Sequence, residues 1–354
     1  MDHASRWAAL TGSLEHPLLV TRLPNIRYLT GFTGSAAYLL AEPDGRGVFV
    51  TDGRYAEAVG PLLSATPGIA LEVAPGPIWD TLELVLGGRH DLALEAHGVT
   101  WEFQRTLVER TGLDPVPAAG RVEDLRRSKG EDEVDSLSAA ARIGDLAFGS
   151  LRDLLGGPVS ERDLAWALVG EMRRHGGTPA DWDPIVAVGP GGSIPHYESG
   201  DSPVESGMML LDYGCLVEGY HGDMSRTVWL GDDPDPELER VHRAVAAAEQ
   251  AGIAAVAPGV ACHEVDEAVR EVLRGYGYEE FFLHSTGHGV GLEIHEAPWL
   301  RRNNDDLLRA GDVVTIEPGV YLAGRGGVRI EDMVLVGEEG PVVLTGSPRG
   351  MMLS

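Results

Sequence analysis

Apolar residues along the chain fall into short runs separated by turn-forming residues. Four early runs have strand length: Leu18-Leu19-Val20, Ala36–Leu40, Gly47–Val50 and Leu92–Leu94. Gly, Pro and Asp bound them, which predicts buried strands. Between them, Ala56–Leu63 and Ile78–Leu86 carry helical spacing. The alternation predicts an α/β unit from residue 13 to about 120. The stretches 25–35 and 51–55 read as loops with turn and cap chemistry.

Residues 121–133 are densely charged, and this marks the domain boundary. The expected division is 1–122, a charged linker 123–133, and a second domain 134–354. A helix is expected over about 131–155, with apolar positions from Val134 to Leu151 and a stop at Gly156-Gly157-Pro158. Ser160 is placed to cap a second helix that runs to Arg174 before Gly176-Gly177. Two more helices are expected at about 235–256 and 263–274, the latter stopped by Gly275. Gly189-Pro-Gly-Gly192 lacks the Gly-Lys-Ser/Thr ending of a phosphate loop and reads as a turn.

Two distant stretches look alike. In the first, the apolar run from Gly207 ends in Asp212-Tyr213-Gly214, and Asp223 follows 11 residues later (223 − 212). In the second, the run from Gly311 ends in Glu317-Pro-Gly319, and Glu331 follows 14 residues later (331 − 317). Each predicts a strand pair, so element order from about 130 reads helix, helix, strand pair, twice over. Carboxylates in buried strands are costly unless protons, cations or metal neutralise them. If the two pairs face each other, four carboxylates converge, and two divalent cations would cancel their charge.

Composition adds limits. A chain of 354 residues carries about two domains by length alone. Its formal charge of −27 argues against nucleic acid or anionic membrane as a partner. Only Cys215 and Cys262 are present, so neither a disulfide framework nor a thiolate metal site is expected. The stretch Met1–Trp7 has no apolar signal core, and no run approaches the roughly 18 apolar residues of a membrane span. The expectation is a soluble cytoplasmic protein.

Histidines sharpen the picture. His284, His288 and His295 lie in one glycine-rich segment, with Gly287, Gly289 and Gly291 expected to let backbone approach a bound object. His196 lies just upstream of the first strand pair.

With these residues in view, the chain resembles the pita-bread metallopeptidases: prolidase (Xaa-Pro dipeptidase), aminopeptidase P and methionine aminopeptidase. The carriers are Asp212, Asp223, His288, Glu317 and Glu331 in order, with Thr-Gly-His-Gly-Val-Gly and Ile-Glu-Pro-Gly around them. The large N-terminal region, with Asn25-Ile-Arg-Tyr-Leu-Thr-Gly-Phe and Thr-Asp-Gly-Arg-Tyr55, is similar to the short bacterial Xaa-Pro peptidases. The resemblance implies an RNase-H-like, creatinase-type α/β N-terminal domain and an α+β pita-bread domain with an internal pseudo-twofold repeat. It implies a hydrolase with two divalent metal ions, Mn²⁺ expected, Co²⁺ and Zn²⁺ also suited, on those five residues.

Under the resemblance, Asp223 and Glu331 bridge the ions, Asp212 chelates one, and His288 and Glu317 bind the other. Glu317 acts as proton shuttle, His196 as oxyanion donor, and His284 and His295 line the proline pocket. Arg329 orients Asp212. Tyr213 is a further candidate, and Arg301 or Arg302 would hold a dipeptide's carboxylate. Ser225 replaces the Thr usual in Asp-x-Thr-Arg-Thr and keeps its hydroxyl. The implied substrates are small peptides with proline second, and the implied assembly is a homodimer. Aminopeptidase P activity on longer peptides is the sibling alternative. A non-catalytic binding protein and a metal-free creatinase-like amidinohydrolase are remoter ones.

Overall fold

The computed structural model describes residues 2–353. Met1 and Ser354, the outermost residues of the two expected domains, lie outside the described residues. Two compact units divide between Arg126 and Arg127.

The first unit is built on a six-stranded sheet. Its spatial order is Ile69–Ala74, Gly47–Asp52, Ala37–Ala41, Leu18–Val20, Ala93–Glu95, Val116–Ala118. The four anticipated runs form the middle of this sheet. The two unanticipated strands are its edges, where exposed positions such as Glu72 and Pro117 dilute the apolar signal. Leu19, Leu40, Leu82, Leu86, Leu94 and Leu107 make a fully or almost fully buried core between sheet and helices. The stretch 25–35, expected as a loop, begins inside a helix, Leu23–Thr30. Pro24 sits in its first turn, and Gly31 closes it at φ +77°, a left-handed cap that glycine adopts without strain.

A polar cluster ties this unit together. Glu95 accepts the Thr21 backbone N–H at 2.6 Å and Asn25 Nδ2 at 2.6 Å. Glu123 Oε1 accepts Asn25 Nδ2 at 2.7 Å, Arg22 Nη1 at 2.6 Å and pairs with His97 Nε2 at 3.0 Å. Burial alone would raise the Glu123 carboxyl, but the hydrogen bonds from Asn25, its own backbone, His97 and Arg22 outweigh it and hold it at about 2.

The second unit repeats one arrangement. Helices Glu131–Gly149 and Glu161–Arg174 pack on a sheet of Ile185–Val188, Gly207–Tyr213 and Met224–Leu230, with Leu168, Val186, Met209 and Leu211 buried between them. Helices Pro236–Ala255 and Cys262–Tyr276 follow, then a sheet that includes Gly287–Gly289, Glu296–Leu300, Val313–Ile316 and Asp332–Gly337. The fold class matches the expected one. Ser160 caps its helix by accepting the Asp163 N–H. Gly275 does not end its helix; the chain continues to Tyr276 and stops at Gly277, which takes the left-handed φ of +81°. The expected 131–155 helix breaks at Ser150, with a short piece at Leu151–Leu154 beyond. The charged stretch 123–133 is helical over Glu123–Arg127. Two of its cations are buried in ion pairs, Arg127 with Asp312 at 2.9 Å and Lys129 with Glu296 at 2.8 Å.

Both look-alike stretches are antiparallel pairs. Asp212 stands opposite Ser225, and Ile316 opposite Asp332. Each pair is bridged by a smaller one, Cys215–Val217 with Tyr220–His221 and Gly319–Leu322 with Gly326–Arg329. Asp212 and Glu317 therefore sit where a strand ends, and Asp223 and Glu331 just before the returning strand begins.

Candidate metal centre

The strand ends converge on one cavity of about 630 Å³, and Asp212, Asp223, His288, Glu317 and Glu331 all line it. Ligand atoms of Asp223, His288 and Glu331 lie within 4.8 Å of one another, and all three residues are buried. His288 Nε2 is 3.8 Å from Asp223 Oδ2 and 3.4 Å from Glu317 Oε1.

Local chain geometry explains each placement. Pro318 has no N–H, so the strand Val313–Ile316 cannot continue past Glu317, whose own N–H is taken by Thr286 O at 2.8 Å. A register shift falls between His288 and Gly289, and a bulge of this kind re-aims a side chain. His288 Nδ1 lies 3.1 Å from Gly289 O, so it carries the proton and leaves the Nε2 lone pair facing the carboxylates. Two of the glycines here are set by close backbone packing. A Cβ on Gly287 would stand 1.9 Å from Thr315 O, and one on Gly289 2.2 Å from Ala297 O. They let this strand approach its two neighbours.

Electrostatics make the cluster unstable by itself. Burial, and then repulsion from Asp212 and Glu317, pushes the Asp223 carboxyl well up. Burial, then Asp223, does the same to Glu331. Burial also pushes Glu317 up to about 8 and His288 down to about 3. Arg329 is the one Lys or Arg among the described residues lining the cavity. The four clustered carboxylates Asp212, Asp223, Glu317 and Glu331, with Asp181, Asp183 and Glu198 also on the lining, outnumber that guanidinium. When ionised they carry a negative charge that two divalent cations fit, on oxygen-rich donors suited to hard or borderline ions.

Arg329 is almost fully enclosed. Its Nη2 donates to Asp212, its Nε to Ser225 Oγ at 2.9 Å, and its Nη1 to Tyr321 Oη at 2.9 Å. Ser225 in turn donates to Glu331 Oε2 at 2.7 Å, so the hydroxyl that replaces the usual Thr is fully engaged. Tyr321 links onward to His284 Nε2 at 2.8 Å, while His284 Nδ1 lies 2.8 Å from Ser285 O. Both nitrogens of His284 are thus committed, and burial, then Arg329, lowers its pKa to about 4. His196 and His295 also line the cavity and are exposed to it. The His295 ring packs edge-on against His288 at 4.3 Å.

Three candidates fall outside the cavity. Tyr213 follows Asp212 on one strand, and alternation turns it into the core, where its Oη donates to Gly144 O at 3.3 Å. Arg301 and Arg302 lie beyond the strand Glu296–Leu300 and face solvent; Arg302 pairs with Glu279 at 2.8 Å. Conversely, Tyr321 was missed: inside Gly319–Leu322 it reads as one more apolar strand residue. Trp299 and the Asp181-Trp182-Asp183 run also line the cavity unannounced.

Comparison with known proteins follows this geometry. Residues 135–338 match the model of metallopeptidase family M24, and residues 17–128 match the creatinase/prolidase N-terminal domain. The chain is 35% identical to the uncharacterized peptidase YqhT of Bacillus subtilis (strain 168), over 95% of each chain. The structure of an Xaa-Pro dipeptidase from Bacillus anthracis superposes with a TM-score of 0.94 at 33% identity, covering 99% of each chain. That of an X-Pro aminopeptidase from Thermotoga maritima MSB8 gives 0.86 at 32% identity, covering 95% of this chain and 97% of that one. A carboxylate-rich cavity at the meeting of two repeated strand pairs, matched over most of its domain by the family model, makes the chain a member of metallopeptidase family M24.

Proposed function

We propose that the chain is a two-metal peptidase that hydrolyses the bond before proline, with Xaa-Pro dipeptides as substrates. The observation that carries this is the convergence of Asp212, Asp223, His288, Glu317 and Glu331 on one cavity. The similarity to a dipeptidase from B. anthracis over the full chain supports the substrate. In this reading those five residues hold two divalent ions, with Mn²⁺ as the ion on the strength of the oxygen-rich donor set. Such ions, when bound, lower the pKa of water and polarise a carbonyl oxygen.

The chain's own residues do the rest. Glu317 accepts a proton at its carboxylate from the attacking water. His196 donates a ring N–H to the carbonyl oxygen as negative charge gathers there. The amide before proline is tertiary, so its nitrogen has no hydrogen and must receive a proton to leave. His295, beside His288 and open to the cavity, stands where it can guide that transfer. His284, with both nitrogens occupied, offers a fixed ring wall to the proline. Arg329 and Ser225 hold Asp212 and Glu331 in place.

One observation favours a second reading, release of the first residue from longer Xaa-Pro peptides. Arg329 is already engaged, and Arg301 and Arg302 face solvent, so among the described residues no unengaged guanidinium lines the cavity to meet a dipeptide's carboxylate. The test is hydrolysis of Ala-Pro and Ala-Pro-Ala by protein stripped of metal and reloaded with Mn²⁺. Turnover of Ala-Pro supports the first reading. Cleavage of the tripeptide alone moves the assignment to the second, and cleavage of neither overturns both.

The two cysteines are unpaired and buried, which supports a reducing cytoplasmic setting. The homodimer rests on the family resemblance, and light scattering would decide it.

A further inference from the structure

Behind the cavity lies a second buried cluster of charge that the reaction does not use. At its centre is Arg226, 1% exposed, which does not reach the cavity. Its Nη1 donates to Glu331 O at 2.6 Å and to Ser225 O at 2.9 Å. Its Nη2 donates to Asp332 Oδ1 at 2.7 Å and Ser347 O at 2.9 Å, and its Nε to Ser347 O at 3.2 Å. One guanidinium therefore grips the backbone of a proposed metal ligand, the backbone of the serine that positions it, and the segment near the C-terminus.

That segment is itself tied down. Asp145 accepts the backbone N–H of Gly346 at 2.8 Å and of Ser347 at 2.7 Å. Thr345 Oγ1 donates to Asp332 Oδ1. Arg349 Nε donates to Asp332 Oδ2 at 2.5 Å and to Glu249 Oε1 at 3.0 Å. Asp332 thus has both oxygens held by the segment and by Arg226, and it is the next residue after Glu331. The other Glu249 oxygen is buried without a partner. Burial, then the side-chain contact with Asp332, pushes the Glu249 carboxyl up to about 9.

We propose that residues 345–349 form a strap that, through Arg349, Thr345 and Ser347 acting on the Asp332–Arg226 pair, fixes Glu331 in its metal-binding position. Arg226 and Arg349 are positioning residues, not catalytic ones. The geometry points to it: among the described residues, Ser225 Oγ donates to the Glu331 side chain, Ser225 O accepts the Glu331 N–H, Arg226 donates to Glu331 O, and Arg226 is anchored to the strap through Ser347. The inference rests on the metal ligands proposed above. Removing an outer partner of a metal ligand weakens metal affinity by about 10- to 100-fold.

The experiment is calorimetric titration of metal-stripped protein with Mn²⁺, for wild type, Arg349→Met, Arg349→Lys and Thr345→Val. Wild type takes up two ions. Arg349→Met binds one of them about 10- to 100-fold more weakly, with kcat reduced and KM unchanged. Arg349→Lys recovers most of that affinity because it restores a cation beside Asp332. Thr345→Val, nearly isosteric, shifts affinity in the same direction by less and decides the matter if Arg349→Met does not fold. Wild-type affinity for both ions in Arg349→Met, or in Thr345→Val should Arg349→Met not fold, overturns the strap. A wild type that binds no divalent ion instead overturns the ligand assignment beneath it.

Discussion

Arg329 shows how much one side chain can organise. Its guanidinium reaches Asp212, Ser225 and Tyr321 at once, and through them Glu331 and His284. A planar fork of five donors is what allows this, and a lysine could not reproduce it. The Arg329 connection to Asp212 came from the family resemblance; Arg329 closes the strand Gly326–Arg329, two positions before Glu331. Tyr321 was not readable, because nothing in an apolar run tells which hydroxyl will turn inward. Arg301 and Arg302 were misjudged for a related reason: an interval in sequence does not say which way a strand leaves a cavity. His295 is the open histidine of the segment. His295→Ala is expected to lower kcat for Ala-Pro by about 10²-fold or more, the loss typical of a positioned proton or oxyanion donor. Near-wild-type kinetics would remove it from the mechanism.

Elements were legible where caps and periodicity agreed. Pro236–Ala255 begins with Asp235 accepting two backbone N–H groups, and Glu161–Arg174 with Ser160; both starts are written in the sequence. Edge strands and the helix Leu23–Thr30 were not, since solvent on one side blurs an apolar pattern and a proline early in a stretch reads equally as turn or first helical turn. The strand Gly287–Gly289 is where close approach matters most. Gly287→Ala is expected to cost about 1–3 kcal/mol by forcing backbone apart, seen as a lower urea midpoint, and to disturb His288 in the same step. An unchanged midpoint would mean that the strands can part freely. In the first unit, the Glu123 cluster gives a pH signature. Its folded carboxyl sits at about 2 against an ordinary 4.5, so its stabilisation is present above about 4.5 and is lost as pH falls toward 2. Acid unfolding of the wild type should therefore begin at lower pH than that of Glu123→Gln, and coincident acid transitions would contradict this.

At the scale of the molecule, the cavity concentrates negative charge inside a chain already at −27. Divalent ions relieve that, so their removal is expected to destabilise the protein as well as silence it. At free ion a hundredfold above its dissociation constant, binding contributes about 2.7 kcal/mol, and a chelator should lower the melting temperature accordingly. Identical melting curves with and without chelator would argue that the cavity binds no ion. Asp212 and Asp223 come from the first of the repeated strand pairs, Glu317 and Glu331 from the second, and the outermost two stand 119 positions apart (331 − 212). A nascent chain that has folded only its first repeat owns less than half of the donors and has no competent coordination sphere. On the ligand set proposed above, the full set of donors therefore comes together only when the two repeats have docked.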